Sequence, residues 1–383
     1  MPLTNGAAQP SGRMGALWTA GAISDCAVLE FGSMGHMLYA EKWMEQSGIC
    51  PRARLVSTHL DEKDISLGLT HRLEEALEEL AQDSAIQAVF LLPSSVPEMI
   101  GTDIGAIGEQ LQERYPHLPI IQLGAGGFSA GVEKGIEDAL DRVVERFIRP
   151  EWNASSQQPE NTGFNIIGSI SDSFNFLQDA REVARLMEGT FHRREICTLT
   201  SGSSVKKLRQ MGESGLNLVL RREGEKAAVR MKKERNIPYL AESPYGYQGT
   251  QQWLLELEEL LHQRADREFL EKELGEHRRT LEAARMWTKY SKERAHIHIS
   301  AEARTERALY RFACDELGMQ QGEGGIFIAP AHRIEQEGRG YRLCIPLTRT
   351  TKSCEYNLYA PPYMGFRGAM NLCSLWIQYL MER

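Results

Sequence analysis

Residues 26–46 read CAVLEFGSMGHMLYAEKWMEQ. Cys26 to Phe31 is a short apolar run interrupted by one charge, Glu30. Gly32 to Gly35 is a glycine-framed turn, and Met37 to Gln46 reads as a helix. Strand, tight turn, helix is the repeating unit of an α/β layer, because parallel strands need a crossover between them. The alternation continues outward. Arg54–Thr58 reads as a strand, and His71–Gln82 as an amphipathic helix with leucines at 73, 77 and 80, a spacing that fills one helical face. Strand Ala85–Leu92, helix Ile104–Tyr115, strand Pro119–Leu123 and helix Val132–Ile148 complete a first block.

A polar linker, PEWNASSQQPENTG at 150–163, separates it from a second. That block begins at Asn165–Gly168 and runs through helix Phe176–Glu188, strands Arg194–Leu199 and Leu216–Leu220, helix Gly224–Asn236 and an edge at Pro238–Leu240. Residues 250–293 are dense in Glu, Lys, Arg and Leu without a clean heptad, which predicts one or two long connecting helices. A third block follows: strand His296–Ile299, helix Arg304–Leu317, strands Gly325–Ile328 and Tyr341–Pro346, and helix Ala369–Met381. The expected fold is α/β, with three Rossmann-like αβα domains and mainly parallel sheets. The expected boundaries are 1–155, 156–293 including the helical connection, and 294–383, the third domain being shortened.

A chain of 383 residues exceeds one ordinary core. Apolar content of 42% and charged content of 25% suit a globular protein. A net charge of −8 argues against nucleic-acid binding, which needs a basic surface. The candidate basic cluster Arg221, Arg222, Arg230, Lys232 and Lys233 is better read as a solvated helix face. No apolar run reaches the ~18 residues of a membrane helix, and the polar N-terminus lacks a signal-peptide core; a cytoplasmic location is expected. The seven cysteines are scattered and form no C-x-x-C pair, which predicts reduced thiols and neither structural zinc nor a disulfide framework.

Two stretches carry a family resemblance. The first is Asp25-Cys26-Ala-Val-Leu-Glu30-Phe-Gly32-Ser-Met-Gly35-His36; the second is Ser94-Ser95-Val-Pro97-Glu98-Met-Ile-Gly101-Thr-Asp103. Further matches are Asn165-Ile-Ile-Gly168, Leu216–Leu220, Asn236-Ile-Pro238-Tyr, Pro244-Tyr-Gly246 with Thr250, Glu316-Leu-Gly318, and Pro362-Tyr-Met-Gly365. In order and spacing they resemble the nitrogenase component 1 family: subunits of the molybdenum–iron protein, their cofactor-assembly homologues and the tetrapyrrole reductases. That resemblance implies three domains around a central cleft. It implies an iron–sulfur cluster shared at a subunit interface with a homologous component 1-type subunit. It also implies electrons supplied by a dimeric ATP-hydrolysing iron–sulfur reductase. This chain has no GKS/T phosphate loop and so is not that reductase.

The cluster cysteines are missing. His36 and Ser95 stand where the resemblance places two of them, Ala8 lies near a third, Leu220 replaces the cofactor cysteine, and the cofactor histidine falls near Glu355. Candidate cofactor-binding residues are therefore His36, Cys26, Glu30 and Ser95, with Cys50 as a further donor. His36 and Cys26 are the candidate metal ligands, because imidazole and thiolate both bind iron. Alternatives stay open: His36 only filling a vacated position, and Ser95-Val-Pro97-Glu98 forming a helix capping box. Asp103 has a similar helix-start role. Gly124–Gly131 misses the dinucleotide spacing. Asp61, Glu62 and Asp64 read as a loop, Thr200–Ser204 as a capped turn, and His296 with His298 as strand histidines lacking a third ligand. The expected function is an oxidoreductase subunit working in electron transfer beside a cysteine-bearing homologue. Two alternatives remain: a non-redox scaffold for a metallocofactor or its precursor, and a homodimer binding a small molecule in its cleft.

Overall fold

Short, largely apolar segments build three four-stranded sheets. The computed structural model describes residues 10–32, 34–46, 51–61, 63–64, 70–94, 97, 101–124, 131–152, 163–349 and 361–382. The first sheet holds β1 (Ala27–Phe31), β2 (Arg54–Ser57), β3 (Val89–Pro93) and β4 (Ile120–Gln122) in the order β2-β1-β3-β4. The second holds β5 (Gly163–Ser169), β6 (Arg194–Thr200), β7 (Asn217–Val219) and β8 (Tyr239–Leu240), in the order β6-β5-β7-β8. The third holds β9 (His296–Ile299), β10 (Gln320–Gln321), β11 (Ile326–Ala329) and β12 (Leu343–Pro346), in the order β10-β9-β11-β12. All these strand pairs are parallel. Strands β1, β3, β5 and β11 are buried throughout. Strands covered on both faces are mostly apolar and read as near-continuous runs, here with Glu30, Asn165 and Ser169 as buried polar exceptions. The third sheet keeps four strands.

The helices of the first block are α1 (Gly12–Gly21), α2 (Met34–Gln46), α3 (His71–Gln82), α4 (Ile104–Arg114) and α5 (Val132–Phe147). On α3, Leu73, Leu77 and Leu80 are buried, as their spacing predicts. Asp103 is the N-cap of α4 and accepts the N–H of Ala106 at 3.0 Å. The second block carries α6 (Phe176–Phe191), α7 (Val205–Leu208) and α8 (Glu225–Arg235). The long connection is two helices, α9 (Tyr247–Leu261) and α10 (Arg267–Tyr290), broken at His262, whose φ is 48°. The third block has α11 (Ala303–Tyr310), α12 (Ala331–Glu337) and α13 (Gly365–Met381). The predicted helix Arg304–Leu317 changes to π-type winding at Arg311–Glu316. Glu316 there accepts the N–H groups of Tyr247 and Gln248 at 3.1 and 3.0 Å, satisfying the start of α9. No described helix is long and apolar enough to cross a membrane.

Helix α1, GRMGALWTAG, has no counterpart in the sequence reading, because three glycines in ten residues oppose a helix. Packing against α5 forms it. A Cβ at Gly15 would lie 2.2 Å from the Val132 carbonyl oxygen, and one at Gly135 would lie 1.7 Å from that of Gly12. The two backbones meet without side chains between them.

Alternation along β5 ties the sheets together. Ile166 and Leu218 belong to a core shared with α9, α13 and the third sheet. Ile167 and Val219 point the other way, into a core shared with α1, α5 and the first sheet.

Candidate functional site

Cys26 sits just before β1 with its thiol buried and donating to the Ile23 carbonyl at 3.2 Å. Burial pushes that thiol well above its usual range, the opposite of what a thiolate ligand requires. Glu30, in β1, is fully buried and ion-paired with Arg13 of α1. Burial pushes its carboxyl up to about 7, against the pull of Arg13. Glu30 and Ser94 both pack around Gly32. Glu30 Oε2 and Ser94 Oγ have no hydrogen-bond partner among the described residues. His36 lies in the first turn of α2, but its side chain, together with Ser95, Glu98, Cys50, Glu62, Ala8, Glu355 and residues 125–130, is outside the described residues. Among the described residues no three His, Cys, Asp or Glu side chains are grouped to hold a metal. Of the candidate donors, the described Cys26 and Glu30 side chains are both buried in packing and ion-pair roles, whereas an iron–sulfur cluster needs accessible thiolates.

Glu30 should make the stability of the fold depend on pH. A carboxyl held above its unfolded value of ~4.3 stabilises the fold fully below that pH and loses the contribution as pH rises through about 7. Wild-type thermal stability is therefore expected to fall between pH 5 and pH 8 more steeply than that of Glu30→Gln. Parallel curves for the two proteins would refute the assignment.

The other sequence candidates have structural partners. Asp61 and Asp64 both bind Arg72, at 3.2 and 2.7 Å. Ser204 caps α7 by accepting from Lys207 N at 3.2 Å. His298 meets the Tyr341 hydroxyl at 2.5 Å. The basic stretch is dispersed: Arg230 pairs with Asp141, Lys226 with Asp141, and Lys232 stacks on Tyr239.

The groups that do converge lie elsewhere. A cavity of about 200 Å³ opens where the three blocks meet. It lies beyond the carboxyl ends of β5, β7, β9, β11 and β12, the place where parallel α/β sheets present loops to a ligand. Trp18 from α1 and Val132 from α5 close the side facing the first sheet. Phe176, Leu220, Leu347 and Met364 make the walls apolar.

Its polar groups come from the turns that follow the strands and from the starts of α6, α9 and α13. At the end of β5, Gly168 holds a φ of 100°, and a Cβ there would lie 2.6 Å from Arg221 Cγ. That glycine lets Arg221, which follows β7, lie against the chain. Arg221 binds Asp172 at 2.7 Å and Glu223 at 2.9 Å. Burial pushes the Asp172 carboxyl up. Burial also acts on Glu223, but there the Arg221 guanidinium prevails and holds the carboxyl low. The two P-Y turns meet through the bridge Tyr245↔Met364, and Gly365 donates to the Pro244 carbonyl at 2.7 Å. Both tyrosines line the cavity. Asp179 of α6 accepts the N–H groups of Tyr363 and Met364 at 2.7 and 2.9 Å, satisfying the start of α13. Asp172, Asp179, Arg221 and Arg349 carry no local motif; the paired P-Y turns were the one sequence signal pointing here.

The profile of the nitrogenase component 1 type oxidoreductases matches residues 11–328. The chain belongs to the nitrogenase component 1 family. Over 203 residues it is 24% identical to the nitrogenase iron-molybdenum cofactor biosynthesis protein NifN of Nostoc sp., covering 48% of this chain and 44% of that one. It is 25% identical to NifE of Clostridium pasteurianum, covering 54% and 43%. It is 30% identical over 129 residues to a light-independent protochlorophyllide reductase polypeptide of Zygnema circumcarinatum, covering 31% and 25%. The matches span less than half the length of each of these relatives. A solved structure titled "Nitrogenase Cp1 at pH 6.5" superposes with a TM-score of 0.77 at 15% identity, covering 100% of this chain and 94% of that one; at that identity it shows the fold. Within this nitrogenase-like fold, Leu220, which replaces the cofactor cysteine of the resemblance, lines the junction cavity.

Proposed function

We propose that this chain is the ligand-holding subunit of a nitrogenase component 1-type pair. It binds its ligand in the junction cavity, while a cysteine-bearing homologous subunit supplies the thiolates of a shared iron–sulfur centre and a dimeric ATP-hydrolysing reductase supplies electrons. One observation carries this reading. The cavity keeps its place at the strand ends and is walled by arginines, carboxylates and tyrosines, while the described cysteines are confined to packing positions. Anaerobic purification from the native host tests it. A homologous partner, iron in the pair and reductase-dependent electron uptake are expected; a pair without iron or uptake sinks the reading.

A second reading, a non-redox scaffold for a metallocofactor or precursor, draws support from the NifN and NifE relatives, named as cofactor biosynthesis proteins. Turnover with reductase and ATP separates the two, since a scaffold binds its cargo without consuming electrons.

A further inference from the structure

We propose that the junction cavity takes a small organic anion with an apolar body, its inner polar group hydrogen-bonded by Asp179 and Tyr245 and its charge set against Arg222. This deepens the reading of the cavity as the ligand site of the subunit and rests on it.

The inner end holds polar groups left over by the fold. Asp179 uses Oδ1 at the start of α13, and its Oδ2 bonds to no described residue. The hydroxyls of Tyr245 and Tyr363 also lack a hydrogen bond among the described residues. All three side chains are more than nine-tenths buried, at 7, 7 and 6% exposure. All three residues line the cavity, so their unused oxygens are open to whatever occupies it.

The charges around Asp179 leave it without a cation. Glu182, one turn along α6, is held by Arg185 at 2.8 Å and by the backbone N–H of Arg367. The faces from α9 and α13 bring the phenols of Tyr245 and Tyr363. Asp172 and Glu223 are already neutralised by Arg221. Burial therefore holds the Asp179 carboxyl up to about 7, which makes it an O–H donor over much of the neutral range. Tyr245 is a second donor beside it.

The rim has the opposite character. Glu302 is used as the N-cap of α11, accepting from Arg304 and Thr305. Arg349 lies over the rings of Phe174 and Phe176 and donates to the Phe174 carbonyl at 3.0 Å. Arg222 is exposed, lines the cavity and makes no ion pair among the described residues. Donors at the inner end, apolar walls and a free guanidinium at the mouth match an organic acid. They do not match a metallocluster. None of the five described cysteines lines the cavity. His332 is the one described imidazole there, and burial lowers its pKa.

The test uses the full chain with a 4-hydroxylated cinnamate as the anionic probe, its phenol reaching the inner end and its carboxylate the mouth, and the matching cinnamamide as its uncharged counterpart, followed by calorimetry at about pH 6 and about pH 8. Cinnamate is expected to bind once per chain, about tenfold more tightly at the lower pH and with proton uptake. Asp179→Asn should keep binding but remove its pH dependence, which separates Asp179 from His332. Arg222→Glu should weaken cinnamate and spare cinnamamide, and Leu220→Trp should abolish both by filling the space. Tyr245→Phe should weaken both and keeps the test open if Asp179→Asn does not fold. No saturable binding up to about 10 mM, or binding indifferent to Leu220→Trp, overturns the proposal. Stoichiometric iron that is lost in Leu220→Trp overturns the ligand class but leaves the proposed function standing. Cinnamate binding of the expected kind, with no partner subunit recovered, upholds the ligand class and removes the proposed function.

Discussion

Gly135→Ala is expected to lower the thermal unfolding midpoint sharply, while Gly275→Ala leaves it unchanged or raises it. Both glycines are helical, but their surroundings differ. A Cβ at Gly135 would sit 1.7 Å from the carbonyl oxygen of Gly12, whereas one at Gly275 meets nothing within 4 Å. Backbone cannot yield as a flexible side chain can, so α1 and α5 must separate. Overpacking of this kind costs roughly 3 kcal/mol or more. At Gly275 the substitution removes the helix penalty of glycine, a gain of up to about 1 kcal/mol. The loss at Gly135 should open the wall that α1 contributes, so Trp18 fluorescence should change with the same midpoint. Equal midpoints for the two variants would mean that the helices do not meet there.

Arg221→Met is the second large effect. The guanidinium neutralises Asp172 and Glu223 together, and all three are largely buried. Removing the cation leaves two uncompensated carboxylates, at a cost of roughly 3–5 kcal/mol. Arg221→Lys should recover only part, because an ammonium cannot reproduce the fork that binds Glu223 through two nitrogens. In Arg221→Met both carboxyl pKa values rise in the folded state. The variant then binds extra protons when folded, so its deficit should be small near pH 5 and full near pH 8. Removing all three charges at once, with Asp172→Asn and Glu223→Gln, should restore most of the stability. A deficit in Arg221→Met independent of pH would show that lost packing, not charge, is responsible.

Much of the architecture was legible because central parallel strands are buried on both faces. Val89–Pro93 therefore appears as an unbroken apolar run, and Leu73, Leu77 and Leu80 mark a helix by spacing alone. Helix α1 was not legible, since its glycines argue locally for a turn. It exists only because α5 offers a surface that glycine alone can approach. The change to π winding at Arg311 has no signature in the residues around it.

The site divides differently. The resemblance drew attention to Cys26, Glu30, His36 and Ser95, the remnants of a cluster frame near β1 and β3. The cavity instead assembles Asp172, Asp179 and Arg221, which share no motif, with Tyr245 and Tyr363 of the two P-Y turns. Arg221 and Asp172 are 49 residues apart yet 2.7 Å distant. Leu220 and the two P-Y turns are where both routes meet, Leu220 as a missing cysteine in the sequence and as an apolar wall in the cavity.

The sequence by itself determined the alternation of the central strands and their main helices, the family, and the loss of thiols at the positions where relatives would place them. All of these are properties of residue type and spacing along the chain. The tertiary structure alone decided which charges cancel, which carboxyls are pushed up and which polar atoms are left without partners. Those quantities depend on burial and on neighbours through space, and only the folded junction of three sheets brings such neighbours together.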